Sequence, residues 1–269
     1  MGLLEGKVGF ITGAGHGQGR SHAVRMAQEG ADVILSDLCA PVPQVQAPMA
    51  TEDELAETAR LVEKEGRRAV FGIADVRDRG ALQAVADRGL AEFGHIDVVS
   101  ANAGVWIPRP FVEIDEDEYD AIVDISLKGA WNTCQVVVPT MIEQGTGGSI
   151  VITSSAGGLR GQAPYAHYVA AKHGVVGLMR ALANELAKYD IRVNTVHPTG
   201  VNTFMPLQPI VADVAASEPL FIQGAANMLN VGAIEAEDVS NAVIWLMSSE
   251  ARWITGVTLP VDAGNTNKP

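Results

Sequence analysis

The chain has 269 residues, 47% hydrophobic and 19% charged, which supplies apolar material for a sizeable core and argues against a disordered polypeptide. Its 19 Lys and Arg face 32 Asp and Glu, a formal net charge of −13 that repels phosphate backbones, and no basic cluster offsets it, so nucleic acid is not an expected partner. Cys39 and Cys134 have no CxxC spacing and no apolar run reaches the length of a membrane span, so the expectations are no metal, no membrane partner and a reducing cytoplasmic location.

In chain order, short β-branched runs alternate with helical patterns. The runs are Val8–Thr12, Val33–Asp37, Ala69–Ile73, Val98–Ala101, Ser149–Thr153, Arg192–His197 and Val257–Val261. They are nearly continuous in apolar residues, as parallel strands covered on both faces would be. Helical patterns run over Ser21–Glu29, Glu52–Glu65, Ala81–Phe93, Glu116–Gln144, Tyr168–Lys188 and Glu237–Ser248. Thr51 with Glu54 forms a capping-box pattern, and Asp78 and Asp115 are candidate N-caps. The alternation predicts an α/β fold, a single Rossmann-type doubly wound parallel sheet flanked by helices. No linker or composition break divides it, so residues 1–269 are expected to form one dinucleotide-binding domain.

Two segments break the rhythm. Residues 38–50, with Pro41, Pro43 and Pro48, form an insertion longer than the usual strand-to-helix connection. Residues from about 200 to 231, rich in Pro, Met, Leu and Phe with weak periodicity, are expected to form an apolar lid.

Thr12-Gly13-Ala14-Gly15-His16-Gly17-Gln18-Gly19 follows the first strand and opens the first helix. Glycines there permit a tight turn and close backbone approach to a pyrophosphate, and the helix N-terminus offers free N–H groups. Gly13, His16, Gly17, Gln18 and Gly19 are therefore candidate cofactor contacts, although a tight structural turn is the plainer reading of the glycines and His16 can be simply a tolerated loop residue. Asp37 ends the second strand, where a carboxylate accepts from ribose hydroxyls; it would repel a 2′-phosphate, and Leu38 and Cys39 bring no cation. This favours NAD over NADP, with an exposed strand-end Asp as the alternative.

Tyr168 and Lys172 are four residues apart near a helix start, so both can reach one ligand. A nearby ammonium is expected to stabilise the phenolate, suiting the tyrosine to general acid–base work. As a pair alone they are as readily surface neighbours. Ser155 lies 13 residues before Tyr168, just beyond a strand end where open sheets bind ligands.

Together these features resemble the short-chain dehydrogenase/reductase family along essentially the whole chain. The matching residues are TGAGHGQG at 12–19, Asp37, Asp75-Val76, Asn102-Ala103-Gly104, Ser155, Tyr168 with Lys172, and HPTGVNT at 197–203. The resemblance implies an oxidoreductase in which Tyr168 moves the proton, Ser155 holds the substrate oxygen, and Lys172 binds the nicotinamide ribose and tunes the tyrosine. It places Asp75 and Val76 at the adenine, Asn102, Ala103 and Gly104 beside the cofactor, and Pro198, Gly200, Val201 and Thr203 near the nicotinamide. Asp75 can instead be a cap residue and Asn102 purely structural. Tyr165, followed at 169 by Val, lacks the lysine partner, and Ser154 reads as a structural neighbour of Ser155. In Asp124–Gly129 the family's asparagine is replaced by Ser126, which can bond back to its helix and still hold a water, so a retuned proton relay is expected.

Stretches 11–34, 166–187 and 193–205 are similar to one subgroup, the mycofactocin-associated, carveol dehydrogenase-like enzymes. That similarity implies an insertion folded over a tightly bound NAD, a hydrophobic alcohol or ketone substrate, and mycofactocin as electron acceptor. The wider family implies a homotetramer. Phe204, Met205, Leu207, Ile210, Leu220, Phe221 and Met228, with Trp106, Ile107, Leu159 and Arg160, are candidate pocket residues or equally core and interface packing. Trp106, Leu159, Phe204 and Met205 lead that set. The alternatives are a 3-oxoacyl-carrier-protein reductase, disfavoured by the acidic charge, and a noncatalytic NAD-binding sensor.

Overall fold

The computed structural model describes residues 2–268. Seven parallel strands form one sheet in the order β3-β2-β1-β4-β5-β6-β7: β1 Val8–Thr12, β2 Asp32–Asp37, β3 Ala69–Ile73, β4 Val98–Ala101, β5 Gly148–Thr153, β6 Ile191–Pro198 and β7 Thr258–Val261. The Rossmann-type doubly wound sheet expected from the sequence is present. The interior strands β1, β2 and β4 are buried throughout, whereas β3 and β7 are partly exposed because each ends the sheet. Strand order reverses between β1 and β4, which opens a crevice at the carboxyl ends of the strands.

Helices α1 (Gly17–Gln28), α2 (Glu52–Lys64) and α9 (Ala236–Met247) cover one face, packing Ala23, Met26, Leu55, Val62, Val239 and Val243 onto the sheet. The other face carries α3 (Arg79–Phe93), α4 (Glu116–Val123), α5 (Gly129–Gln144) and α6 (Ala166–Leu186), through Leu82, Ile122, Val137, Met141, Val175 and Met179. Thr51 accepts from the Glu54 amide at 3.2 Å while Glu54 accepts from the Thr51 amide at 2.8 Å, closing the capping box. Asp78 and Asp115 cap α3 and α4.

The single helix expected over Glu116–Gln144 is two helices joined by a π-turn at Asp124–Lys128. The weakly periodic lid is also more ordered than its pattern suggests. It holds α7 (Pro209–Ser217) and α8 (Pro219–Ala225), both starting at a proline, whose missing N–H and fixed φ suit the first helical turn. Ile210, Val214 and Phe221 turn inward from it, whereas Leu207, Leu220 and Met228 are exposed. Among the described residues no helix is long and apolar enough to cross a membrane, and no cluster of His, Cys, Asp and Glu could hold a metal ion.

His22 on α1 is wholly buried against α9, its Nδ1 2.9 Å from Ser240 Oγ, and burial pushes its pKa down to about 3. An imidazole with a depressed folded pKa takes up protons on unfolding, so its stabilisation is intact above about 6.5 and is lost as pH falls toward the folded value. Denaturant titrations should show stability dropping by about 2 kcal/mol between pH 6.5 and 5 from this group. In His22→Leu that slope should flatten; an unchanged slope would assign it elsewhere.

Candidate active site

The crevice at the strand switch is lined by Gly13, His16, Gly17, Gln18, Gly19, Asp37, Leu38, Asp75, Val76, Asn102, Ala103 and Gly104, with Thr203 and Met205 across from them. Gly13 has φ +69°, and a Cβ there would sit 2.9 Å from Ala103 Cα, so only glycine lets the loop pass this close to β4's end. The loop is sewn to β2: Ala14 N donates to Ser36 O, and Gly15 N donates to Asp37 Oδ2 at 2.8 Å. Asp37 also accepts from Cys39 N and still faces the crevice. No Lys or Arg is among the lining residues. Gln18 Oε1 is buried without a hydrogen-bond partner at this junction, an acceptor left for a ligand donor.

Asn102 ties the strand ends together. Its Nδ2 donates to Thr12 O at 3.1 Å and Gly13 O at 3.3 Å, and its Oδ1 accepts from Thr153 Oγ1 at 3.3 Å. Asp75 lines the crevice, but its carboxylate is gripped by Arg77 at 2.6–3.1 Å, which holds its pKa below the usual carboxylate range despite partial burial. It is not a helix cap; Asp78 takes that role.

Residues 38–50 pack down as a cover. Val42, Ala47 and Ala50 are buried, and Leu38, Val42, Met49 and Ala50 face the crevice. His16 Nε2 donates to Pro48 O at 3.3 Å, and its ring meets Phe204 at 5.1 Å. Gln208, 3% exposed, binds three segments at once: it accepts from Gln46 N at 3.2 Å and donates to Trp106 O at 2.7 Å and Met205 O at 3.0 Å.

A second cavity adjoins the crevice, sharing Gln18, Asn102, Gly104, Thr203 and Met205 with it. Ser155, Tyr168 and Lys172 open into it, as do Pro198, Gly200 and Val201. Its outer wall is aromatic: Trp106 lies 5.5 Å from Tyr165 and 6.1 Å from Phe221, and Tyr165 lies 6.1 Å from Tyr168. Lys172 donates to Thr153 O at 2.8 Å and sits 5.6 Å from the Tyr168 ring centroid. Burial pushes the Lys172 ammonium down to about 8. It pushes the Tyr168 phenol up to about 12, with the Ser155 hydroxyl opposing the rise. The lowered phenol expected from the sequence is thus reversed, because desolvation of the phenolate outweighs what its neighbours return.

Ser126 occupies the π-turn. Contrary to a bond back to its own helix, its Oγ reaches across to Val105, donating to the carbonyl at 3.3 Å and accepting from the amide at 3.4 Å. A Cβ on Gly104 would lie 3.3 Å from Lys172 Nζ and 3.5 Å from Ser126 Oγ, so the two side chains converge on Gly104.

Leu159 and Phe204 do not line the cavity; Phe204 packs on His16, and Ile107 is buried in the core. Tyr165, Val211, Phe221, Gln162 and Asn265 do line it. Sequence reasoning missed His197 as well. It is fully buried, its Nδ1 donates to Ser155 O at 2.7 Å, and its Nε2 accepts from Thr195 Oγ1 at 2.8 Å. Burial pushes its pKa down to about 4, so it holds the Ser155 backbone as a neutral ring.

Comparison with known proteins agrees with this geometry. Residues 13–266 match the family described as Enoyl-(acyl carrier protein) reductase. The chain is 49% identical to an uncharacterised oxidoreductase of Mycobacterium tuberculosis, covering 98% of each. It is 46% identical to the (−)-trans-carveol dehydrogenase of Rhodococcus erythropolis, covering 100% of each. The crystal structure of a carveol dehydrogenase from Mycobacterium avium in complex with NAD superposes with TM-score 0.95 at 44% identity, covering 100% of each. The chain belongs to the short-chain dehydrogenase/reductase family, on the carveol dehydrogenase-like side of it.

Burial at Lys172 makes a direct prediction. In the cofactor-free protein its amine should titrate near 8, about two units below an ordinary lysine. Pulsed amine labelling read by mass spectrometry across pH should place its midpoint there; a midpoint above 10 would mean that the ammonium is solvated.

Proposed function

We propose that this chain is an NAD-dependent dehydrogenase of hydrophobic cyclic secondary alcohols, carveol-like in kind, that also reduces the matching ketones. The carrying observation is that Ser155 and Tyr168 open into a cavity walled by Trp106, Tyr165, Val211 and Phe221. A cyclic terpenoid suits such a wall better than a sugar or a charged acid. A carrier-protein substrate is disfavoured by the formal charge of −13, since carrier proteins are themselves acidic.

The crevice fits NAD. The glycine loop leaves a cradle that a Cβ would fill, Asp37 lines the crevice as an acceptor that would hold a ribose diol, and no lining cation awaits a 2′-phosphate. Bound there, the dinucleotide supplies the nicotinamide ring that exchanges hydride with the substrate carbon. The chain's own residues do the rest. Ser155 holds the substrate oxygen through its hydroxyl, and Gly157 N donates to Ser155 Oγ at 3.1 Å, fixing the hydroxyl's direction. Tyr168, protonated near neutral pH, gives its phenolic proton to that oxygen in reduction and takes it back in oxidation. Lys172 keeps positive charge beside the phenol and is itself positioned by Thr153 O. Ser126, beside Gly104, feeds protons to Lys172 in place of a longer amide. The cover formed by residues 38–50 retains NAD, which points to reoxidation in place by a separate acceptor such as mycofactocin. A homotetramer in the cytoplasm is the expected working form.

Purified protein should carry NAD through gel filtration, and carveol-type alcohols should reduce it, seen as nicotinamide absorbance. Tyr168→Phe should keep the NAD and lose about 10²–10⁴-fold in turnover. Silence across a broad alcohol panel with NAD bound would favour the sensor reading instead. Gln208→Leu, which cuts the bond to Gln46 of the cover and the bonds that anchor it to Trp106 and Met205, should speed NAD release by at least about tenfold; unchanged release would separate retention from the cover. Ser126→Asn should alter turnover and its pH profile, and an unmoved profile would end the relay assignment.

A further inference from the structure

We infer that Gln162 reads a second hydroxyl on the substrate, close to the reacting carbinol, so that the preferred substrates are hydrophobic diols and the corresponding hydroxyketones. This rests on the dehydrogenase reading above and adds what the second polar group must be.

The argument starts at Asn265, 1% exposed, in the C-terminal segment beyond β7. Its Nδ2 donates to two backbone carbonyls at the end of α8, Gly224 O at 2.9 Å and Ala226 O at 2.8 Å. Carbonyls only accept, so the amide has one orientation, and Oδ1 must face the other way. There it accepts from Gln162 Nε2 at 3.3 Å. The orientation of Gln162 follows in turn: its N–H side is committed to Asn265, and its carbonyl oxygen is turned to the catalytic side.

Gly157 measures how near that oxygen lies to the chemistry. A Cβ on Gly157 would sit 2.9 Å from Gln162 Oε1 and 3.6 Å from Ser155 Oγ. The acceptor thus flanks the hydroxyl that holds the substrate oxygen. Among the described residues no group donates a hydrogen bond to it. Gln162 is half-buried; a hydrocarbon placed there would shield its oxygen from water and leave it unpaired, and a carbonyl or ether oxygen would meet it lone pair to lone pair. A hydroxyl satisfies it. An ammonium would also donate, but Lys172 opens into the same cavity and repels a cation. Both oxygens lie within 3.6 Å of that one point, which sets the second hydroxyl within a few carbons of the carbinol, the adjacent carbon being the simplest case.

The test compares three ring alcohols of one scaffold on NAD-loaded Tyr168→Phe protein by calorimetry: cyclohexane-1,2-diol, 2-methoxycyclohexanol and cyclohexanol. The diol should bind roughly three- to tenfold tighter than the other two, the size of one neutral hydrogen bond. Gln162→Met in the same background should bring the three together. Equal affinity for diol and methoxy ether, or no binding of the diol, overturns the inference whether or not Gln162→Met folds. Turnover by the unmodified protein is read separately: a diol preference in binding with no oxidation of any alcohol would sink the dehydrogenase reading and leave the hydroxyl subsite standing.

Discussion

The active site depends on how the carboxyl ends of β1, β4 and β5 are closed off. Parallel strands stop there with unpaired carbonyls, and a buried carbonyl without a donor is costly. Asn102 answers for Thr12 and Gly13, while its own oxygen takes the Thr153 hydroxyl. Lys172 answers for Thr153 O. The phosphate-type loop, the end of β5 that leads to Ser155, and the helix that bears Tyr168 are therefore one bonded unit. Moving any of them exposes an acceptor in another. His197 extends the unit to β6 by donating to Ser155 O.

That closure also sets the electrostatics. Tyr168, Lys172 and His197 are all displaced toward their neutral forms by burial. A phenol raised to about 12 keeps its proton near neutral pH, which suits the role proposed for Tyr168 in the reductive direction. Oxidation needs the opposite, a phenolate stabilised for the moment of proton uptake. Lys172, 5.6 Å from the phenol ring, is the cation placed to do this, although burial disfavours the charged form of each group taken alone. The Coulomb attraction of such a pair is strong in low dielectric, and the bond from Lys172 to Thr153 O offsets part of the desolvation that opposes it.

Much of this was legible in the sequence, for identifiable reasons. Buried parallel strands are continuous apolar runs, so all seven were visible, three with the same bounds and the others shifted by one residue at one end or both. The glycine loop, Asp37, Ser155, Tyr168 and Lys172 are short-range patterns whose roles depend on where strands end. The π-turn was not legible, because the contact that accompanies it runs from Ser126 to Val105, 21 residues away. Nor was the direction of Leu159 or Phe204, since a residue beyond a strand end can face either side. Gln162 and Asn265, 103 residues apart, meet only through the fold. Pro209 and Pro219 did mark helix starts, but the apolar residues around them hid the period.

The cover over the crevice links the two cavities mechanically. Met205 lines both, and the amide of Gln208 joins it to Trp106 on the substrate side and to Gln46 on the cover. Lifting residues 38–50 breaks the Gln46 bond and the His16–Pro48 bond, and it exposes Val42 and Ala50 to water. At about 1 kcal/mol for each hydrogen bond, with the apolar burial added, the open form is a minor state. A ring bound against Trp106 would stiffen the same Gln208 junction from the other side. Under the proposed function, substrate occupancy and dinucleotide retention would then favour each other, because both draw on one buried amide.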